Sequence, residues 1–280
     1  MKKVVWVSFV LLVACLLSQP VLADQREQEK ASGPWERFSF TLGGFFADLS
    51  SDVRIGSKTL GVGTDIDVED ALGLESSTLV FRSDALYRFG KSRRHRIDFT
   101  YFDLSRDSTK TLQADIDFGE KQFTAGTTVD SEFDLVFYNL AYTYSFFQDD
   151  RFDLGASVGF HITDIGLKLT IPASGTAEEE AITAPLPVLG LRGTFALTPR
   201  LFLKQSIEFF YLEIDTFRGL LTDINLALEY NVWKHVGLGL GYNIMRLDIE
   251  AEGKDFPEID LTGNIEFTYG GIQLYAKIYF

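Results

Sequence analysis

From Ile272 to Phe280 every second residue is apolar: Ile272, Leu274, Ala276, Ile278 and Phe280 alternate with Gln273, Tyr275, Lys277 and Tyr279. A period of two makes a strand with one apolar and one polar face. The same pattern recurs. Phe152, Leu154, Ala156, Val158, Phe160 and Ile162 oppose Asp153, Gly155, Ser157, Gly159, His161 and Thr163. Ile224, Leu226, Leu228 and Tyr230 oppose Asp223, Asn225, Ala227 and Glu229, and Val236 to Met245 repeats the arrangement with Gly237, Gly239 and Gly241 on the second face. Helical periodicity is absent. The chain is therefore all-β, and half of each strand's residues must be buried in something apolar.

What that something is depends on the connections. Tight turns are expected at 90–93, 148–151, 198–200 and 233–235. Longer connections are expected at 56–76, 108–129, 172–182, 217–221 and 251–263. Short and long alternate, as in membrane barrels with short turns on the periplasmic side and longer loops outside. Charge sorts the same way. Arg88, Lys91, Arg93, Arg94 and Arg96 crowd the first short turn, while the long connections are acidic in a chain of formal charge −14. That acidity argues against a nucleic-acid partner. Trp35 and Trp233 fall at the short-turn ends, where amphipathic rings suit a membrane interface.

Residues 1–23 read as a secretory signal peptide, with Lys2 and Lys3 before an apolar run and Val21-Leu22-Ala23 before the cut. The run is too short for a spanning helix, which needs about 20 residues. Leu12-Val13-Ala14-Cys15 offers a lipobox as an alternative, with Cys15 lipidated. Cleavage after Ala23 would leave no cysteine for disulfides or thiolate chemistry. Residues 24–34 read as a polar periplasmic lead, and 35–280 as the barrel domain. Ten strands are expected, near 35–55, 76–90, 94–107, 130–147, 151–171, 182–197, 200–216, 222–232, 235–250 and 264–280. Eight are possible if strands 1 and 6 are miscounted. Twelve are possible if 112–129 or 64–74 adds a hairpin. Alternation falters near Tyr101–Phe102, Phe137–Tyr138 and Gly270–Gly271, which suggests bulges or strand leaving lipid.

The export signal, the sorted loops and the terminal Ile278-Tyr279-Phe280 resemble those of Gram-negative outer-membrane β-barrels, transmembrane antiparallel up-and-down barrels. The blocks FRSDALYRFG (81–90), YFDLSRD (101–107) and SEFDLVFYNLAYTYSF (131–146) are similar to those of an uncharacterised proteobacterial family without assigned activity. The resemblance implies the cell outer membrane as location. It implies outer-membrane lipid and lipopolysaccharide as surroundings, periplasmic chaperones in transit, and an assembly machinery that reads Ile278 and Phe280. A monomer without cofactors is expected.

The inward face should carry paired charges: Arg82, Asp84, Arg88, Arg192, Lys204, Glu208, Glu229 and Lys277. A bore of this size is largely filled by side chains, and an unpaired charge there is costly. Gly43-Gly44, Gly155, Gly159 and the 237–241 glycines read as small inward positions beside larger ones. His161 faces inward and is the candidate base for a hydrolase of lipid A, phospholipid or peptide; no nucleophile is assigned to it. Asp65, Asp67, Glu69 and Asp70 form an acidic loop that could hold Ca²⁺ or Mg²⁺, although the string lacks the glycine and distal glutamate of an EF-hand. The leading expectation is a non-enzymatic barrel, structural, surface-interacting or a narrow porin-like solute pore. Its rivals are a barrel hydrolase using His161 and a soluble periplasmic β-sandwich.

Overall fold

The computed structural model describes residues 35–56, 63–214, 217–256 and 259–280, with side chains described outside 252–262. The signal-peptide, Cys15 and polar-lead readings lie outside the described residues. The elements are β1 (Phe38–Ile55), β2 (Ile66–Asp67), α1 (Val68–Leu72), β3 (Ser77–Phe89), β4 (His95–Thr111), β5 (Ile116–Phe118), β6 (Lys121–Phe123), β7 (Thr128–Gln148), β8 (Phe152–Ile171), β9 (Thr176–Ala196), β10 (Leu201–Ile214), β11 (Phe217–Trp233), β12 (Val236–Phe256) and β13 (Ile259–Tyr279).

Ten strands of one antiparallel sheet form the barrel wall in the order β1-β3-β4-β7-β8-β9-β10-β11-β12-β13, the two-residue β2 adds to β1 at the sheet's end, and β13 pairs back onto β1. That last ladder runs from Ser39↔Tyr279 to Ile55↔Gly263 and closes the barrel. Closure pairs the first strand with the last, so the backbone groups of these two terminal strands are satisfied without water. The eight-strand alternative fails because β1 and β9 are paired on both sides. The twelve-strand alternative fails because β5 and β6 form a separate two-stranded sheet. At 64–74 the chain instead makes the two-residue β2 and the one-turn α1, capped by Asp67 at its start and Gly73 at φ 78° at its end.

The exterior carries a belt of apolar side chains half exposed or more, among them Phe46, Phe81, Leu140, Phe160, Leu191, Phe209, Leu240 and Leu274. In water such a patch would be untenable; against hydrocarbon it is the required surface. The five terminal apolar residues face this belt, and Gln273, Tyr275, Lys277 and Tyr279 face the lumen. This disposes of the β-sandwich, whose apolar face would be hidden.

The strands are far longer than the ~9–11 residues needed to cross; β7, β9, β12 and β13 each have 21. Their side chains keep strict parity, yet the chemistry inverts partway up. On β4, Ile97, Phe99 and Tyr101 point out above inward Arg96, Asp98 and Thr100; then Asp103, Ser105 and Asp107 point out and Phe102 and Leu104 point in. On β1 the change follows Phe46, with Asp48, Ser50 and Asp52 outward and Ala47, Leu49 and Val53 inward. The faltering alternation at Tyr101–Phe102, Phe137–Tyr138 and Gly270–Gly271 is this inversion. The ladders pass through all three sites without a shift, so the bulge reading there is wrong. Register shifts occur elsewhere, at Ser145/Phe147, Asn231/Trp233 and Gly253/Phe256.

The inversion has a simple cause. Within lipid the outside must be apolar and the inside takes the polar groups. Above lipid the outside meets water, and burying the inside drives folding as in any soluble core. It also corrects the expected loops. Residues 176–182, 217–221 and 251–256 are strand, so these hairpins continue upward as strand, and among the described residues the long connections are those at 56–76 and 112–127.

If the belt is lipid-facing, Leu240→Lys should lower unfolding stability in liposomes by about 2–4 kcal/mol. Ser105→Lys, outward but above the belt, should change it by no more than about 0.5 kcal/mol.

Candidate functional site

The lumen at belt height is built from inward positions on all ten barrel strands and holds three connected groups of polar side chains. At the periplasmic mouth, Glu229 of β11 accepts from Lys277 of β13 at 2.5 Å, from Lys204 of β10 at 2.9 Å and from the Tyr275 hydroxyl at 3.0 Å. Lys204 also meets Glu36 at 3.1 Å. Gly237 and Gly239 make this possible: a Cβ at 239 would lie 2.2 Å from the Tyr275 ring, and one at 237 would crowd the Lys277 stem at 3.2 Å. Of the expected small inward positions, Gly44 is the exception, since it faces outward beside Leu79.

A second group joins Arg96 to Asp98 at 2.8 Å and Arg192 to both Asp98 and Glu208. His161 places Nε2 2.6 Å from Glu208, and Asn139 contacts both. In the third group Arg82 pairs with Asp84 at 3.1 Å and donates to Asn243 Oδ1 at 2.6 Å. Asn243 in turn donates to Asp223, and the Tyr269 hydroxyl donates to Asn243. Apart from these, Arg88 and Asp153 form a pair at 2.6 Å, both nearly fully buried. Between the groups lies a polar chamber of about 140 Å³ lined by Thr41, Arg82, Asp98, Arg192, Lys204, Glu229 and Gln273, among others, large enough for several water molecules.

Every charged residue expected inside is there and partnered. The sequence reading put Asp153, Asp223 and Asn243 on polar faces without naming them among the paired groups, missed Asp98 and Asn139, and treated Arg96 as a turn charge. Parity alone would have found all of them.

The mouth is stoppered. Trp35 was expected at the membrane interface with Trp233. Trp233 is 69% exposed, but Trp35 is 1% exposed and sits inside the barrel end. Its indole donates to the Asp149 carbonyl, its carbonyl accepts from Arg93, Arg88 lies over its ring, and Phe202 meets it edge-on. Inside the mouth its large apolar surface is buried while its indole N–H keeps a partner. Burial alone would raise the Glu36 carboxyl, but the Lys204, Lys277 and Arg88 charges outweigh it and hold it well below the ordinary carboxylate range. Its folded value being depressed, the stability it contributes is present above the unfolded carboxylate range and is lost only as pH falls through the lower folded value.

The top of the polar zone is closed by aromatic rings. Phe102 stacks on Phe137 at 4.7 Å, Phe45 and Phe102 each meet Tyr269, and Phe137 stands edge-on to His161 at 4.9 Å. Above them Phe133 and Phe267 stack, and the apolar sides of β2–α1 and β5–β6 complete the core through Ile66, Leu72, Phe118 and Phe123.

His161 has no exposed surface. Gly155-Ala156-Ser157-Val158-Gly159 spells G-x-S-x-G, a string the sequence reading passed over, but it runs as regular β8 strand rather than a strand–turn–helix elbow. Ser157 lies four residues from His161, about 13 Å along the strand. His161, Glu208 and Asp223 do bring ligand atoms within 4.8 Å of one another, but Arg192, His161 and Asn139 already engage Glu208. The acidic loop does not converge as a metal site. Asp65 faces Arg54 at 3.6 Å, Asp67 caps α1, and Glu69 pairs with buried Arg106 at 2.5 Å.

No protein-family profile matches the chain, and no curated protein matches it by sequence. Among solved structures it is similar to the outer membrane protease OmpT of Escherichia coli, with TM-score 0.54 and 8% identity, over 87% of this chain and 96% of that one. The chain has the fold of a bacterial outer-membrane β-barrel. Looser likenesses are Ail, the attachment invasion locus protein of Yersinia pestis (TM-score 0.39, 10% identity, 86% and 97% coverage), and Neisserial surface protein A (TM-score 0.37, 12% identity, 87% and 97% coverage). At these identities the likeness is one of fold.

Removing Arg88 strands a buried carboxylate, so Arg88→Ala should cost about 3–5 kcal/mol in denaturant unfolding, and the double change Arg88→Met with Asp153→Leu should recover most of it. Glu36→Gln should remove the part of the acid-side loss of stability that belongs to the stopper.

Proposed function

We propose that this outer-membrane barrel is non-enzymatic and non-conducting, and works by presenting its rigid, acidic extracellular ribbons at the cell surface. The observation that carries this reading is the double closure of the lumen. Trp35 and Glu36 fill one end, and the Phe45–Phe102–Phe137–Tyr269 rings with the apolar core above them fill the other. A solute path would have to break both. A hydrolase would need a substrate to reach His161, which is enclosed beneath those rings.

The surface reading is supported by the outward face above the belt, where Asp48, Asp52, Asp103, Asp107, Glu132 and Asp134 stand exposed on paired strands. Paired strands lose little entropy when they bind, so they suit recognition better than long free loops do. The refolded chain should give no single-channel steps in planar bilayers across physiological voltages. Discrete, reproducible conductance would overturn the closed reading. Turnover of phospholipid, lipid A or peptide that is lost in His161→Ala would overturn the non-enzymatic one.

A further inference from the structure

The barrel wall is not zipped to equal height all round. The β9–β10 ladder runs from Phe202↔Ala196 to Phe209↔Leu189 and stops. Yet β9 stays paired with β8 up to Thr176, and β10 with β11 up to Ile214. Residues 176–188 and 210–214 therefore carry no mutual pairing.

The cause is written in the sequence. Leu197 N donates to Leu201 O, and Ala196 N donates to Arg151 O. Odd-numbered residues of β9 thus turn their backbone polar groups toward β10, and even-numbered ones toward β8. The next two odd positions above Leu189 are Pro187 and Pro185. Continuing the register would set them opposite Tyr211 and Glu213. Proline has no N–H, so both rungs lose their β9 donor.

The first lost rung, Pro187–Tyr211, lies within the apolar belt. Leu189, Leu191, Phe209 and Tyr211 point outward around it and are about half exposed or more. The belt ends one step higher, between Tyr211 and Glu213 on β10. Behind the gap the inward residues are Leu186, Val188 and Phe210, all buried and apolar. At the Pro187–Tyr211 rung the groups from outside to inside are uncharged, and the Glu213 carboxylate one rung higher is engaged by the Tyr211 hydroxyl. The β3–β4 ladder also stops early, at Phe81↔Asp103, but there a carboxylate stands at the lip.

We propose that the β9–β10 seam is a lateral lipid site, in which one acyl chain of an outer-leaflet lipid enters between Pro187 and Tyr211, with Val188, Leu186 and Phe210 closing the seam behind it. An open edge facing hydrocarbon is costly because its donors and acceptors go unpaired. The prolines remove the donors from one lip and so make that lip tolerable to a hydrocarbon occupant. The one carboxylate touching the lost Pro187–Tyr211 rung, Glu213, is taken up by the Tyr211 hydroxyl, and Pro187, Leu189 and Phe209 beside it are uncharged, which disfavours a polar solute. A gap of a rung or two suits a single chain, whose width is close to the ~4.8 Å strand spacing. The inference rests on the belt lying in lipid, and it is independent of whether the lumen conducts.

The test uses fluorescence quenching by phosphatidylcholine vesicles whose chains are brominated near the head-group end. Phe210→Trp and Phe45→Trp are compared in a Trp233→Phe parent, whose own signal is subtracted. Phe45 is the control: inward, 1% exposed, and paired on both sides, with Val80 and with Gln273. The seam predicts a larger loss of fluorescence for Phe210→Trp than for Phe45→Trp. It also predicts that adding Pro185→Val and Pro187→Val, which restore the donors, abolishes the excess. Equal quenching overturns the proposal, as does an excess that survives the proline replacements in protein shown folded by heat-shift electrophoresis. If the proline variant does not fold, the first comparison still decides. Leu240→Trp, outward in the belt, is quenched whenever the belt is in lipid; its failure would contradict the membrane placement instead, which keeps the two claims apart.

Discussion

Everything in this molecule depends on the ladder between its first and last strands. Seventeen register positions, Ser39↔Tyr279 through Ile55↔Gly263, join β1 to β13. In hydrocarbon there is no water to satisfy an open edge, so a sheet with this exterior is tolerable only when closed. Closure then dictates the rest. Side chains at odd and even positions become inside and outside, and the inside of a ten-stranded barrel is too narrow to leave empty. The sequence fills it with cation–carboxylate pairs at belt height, where they satisfy one another, and with aromatic and aliphatic side chains above.

The two storeys are physically complementary. The lower one is lined by polar groups that a lipid-facing surface cannot carry. Its charges are partnered because each buried ion left alone would cost several kcal/mol. The upper one is an ordinary hydrophobic core wrapped in strand, and each aromatic contact such as Phe102–Phe137 adds about 0.5–1.5 kcal/mol beyond burial. The core locks the top of the barrel while Trp35 and Glu36 lock the bottom. The proposed closed, surface-presenting role rests on this lumen being held at both ends by independent means. The place where the wall itself is weakened, at Pro185 and Pro187, is correspondingly specific, since both prolines fall on the face of β9 that should bond β10.

Much of this was legible in the sequence, because the signal has the shortest possible period. The parity of β8, β11, β12 and β13 gave the inward set directly, and the tight turns gave the strand count. Three things were hidden. The inversion above the belt looks like a fault in the alternation, because apolar and polar residues exchange faces without a residue being inserted. The upward reach of the ribbons around 176–182 and 217–221 is obscured by glycine, proline and acidic residues that read as loop. The position of Trp35 depends on a cavity that exists only once ten strands have closed, so no local pattern could reveal it. The cluster around His161 shows the same limit: Asn139, Glu208 and Asp223 come from three different strands. Their parity was available, but their mutual height around the ring was not.

The central claim is that one continuous strand passes from a lipid-facing to a water-facing exterior without changing parity. Spin labels placed singly at outward positions 97, 99, 101, 103, 105 and 107 of β4 in reconstituted vesicles test it most directly, by comparing accessibility to oxygen and to a water-soluble nickel reagent. The account predicts oxygen-favoured accessibility at 97, 99 and 101 and nickel-favoured accessibility at 103, 105 and 107, with the crossing between Tyr101 and Asp103. A crossing displaced to either end of the strand, or uniform accessibility along it, would contradict the two-storey barrel.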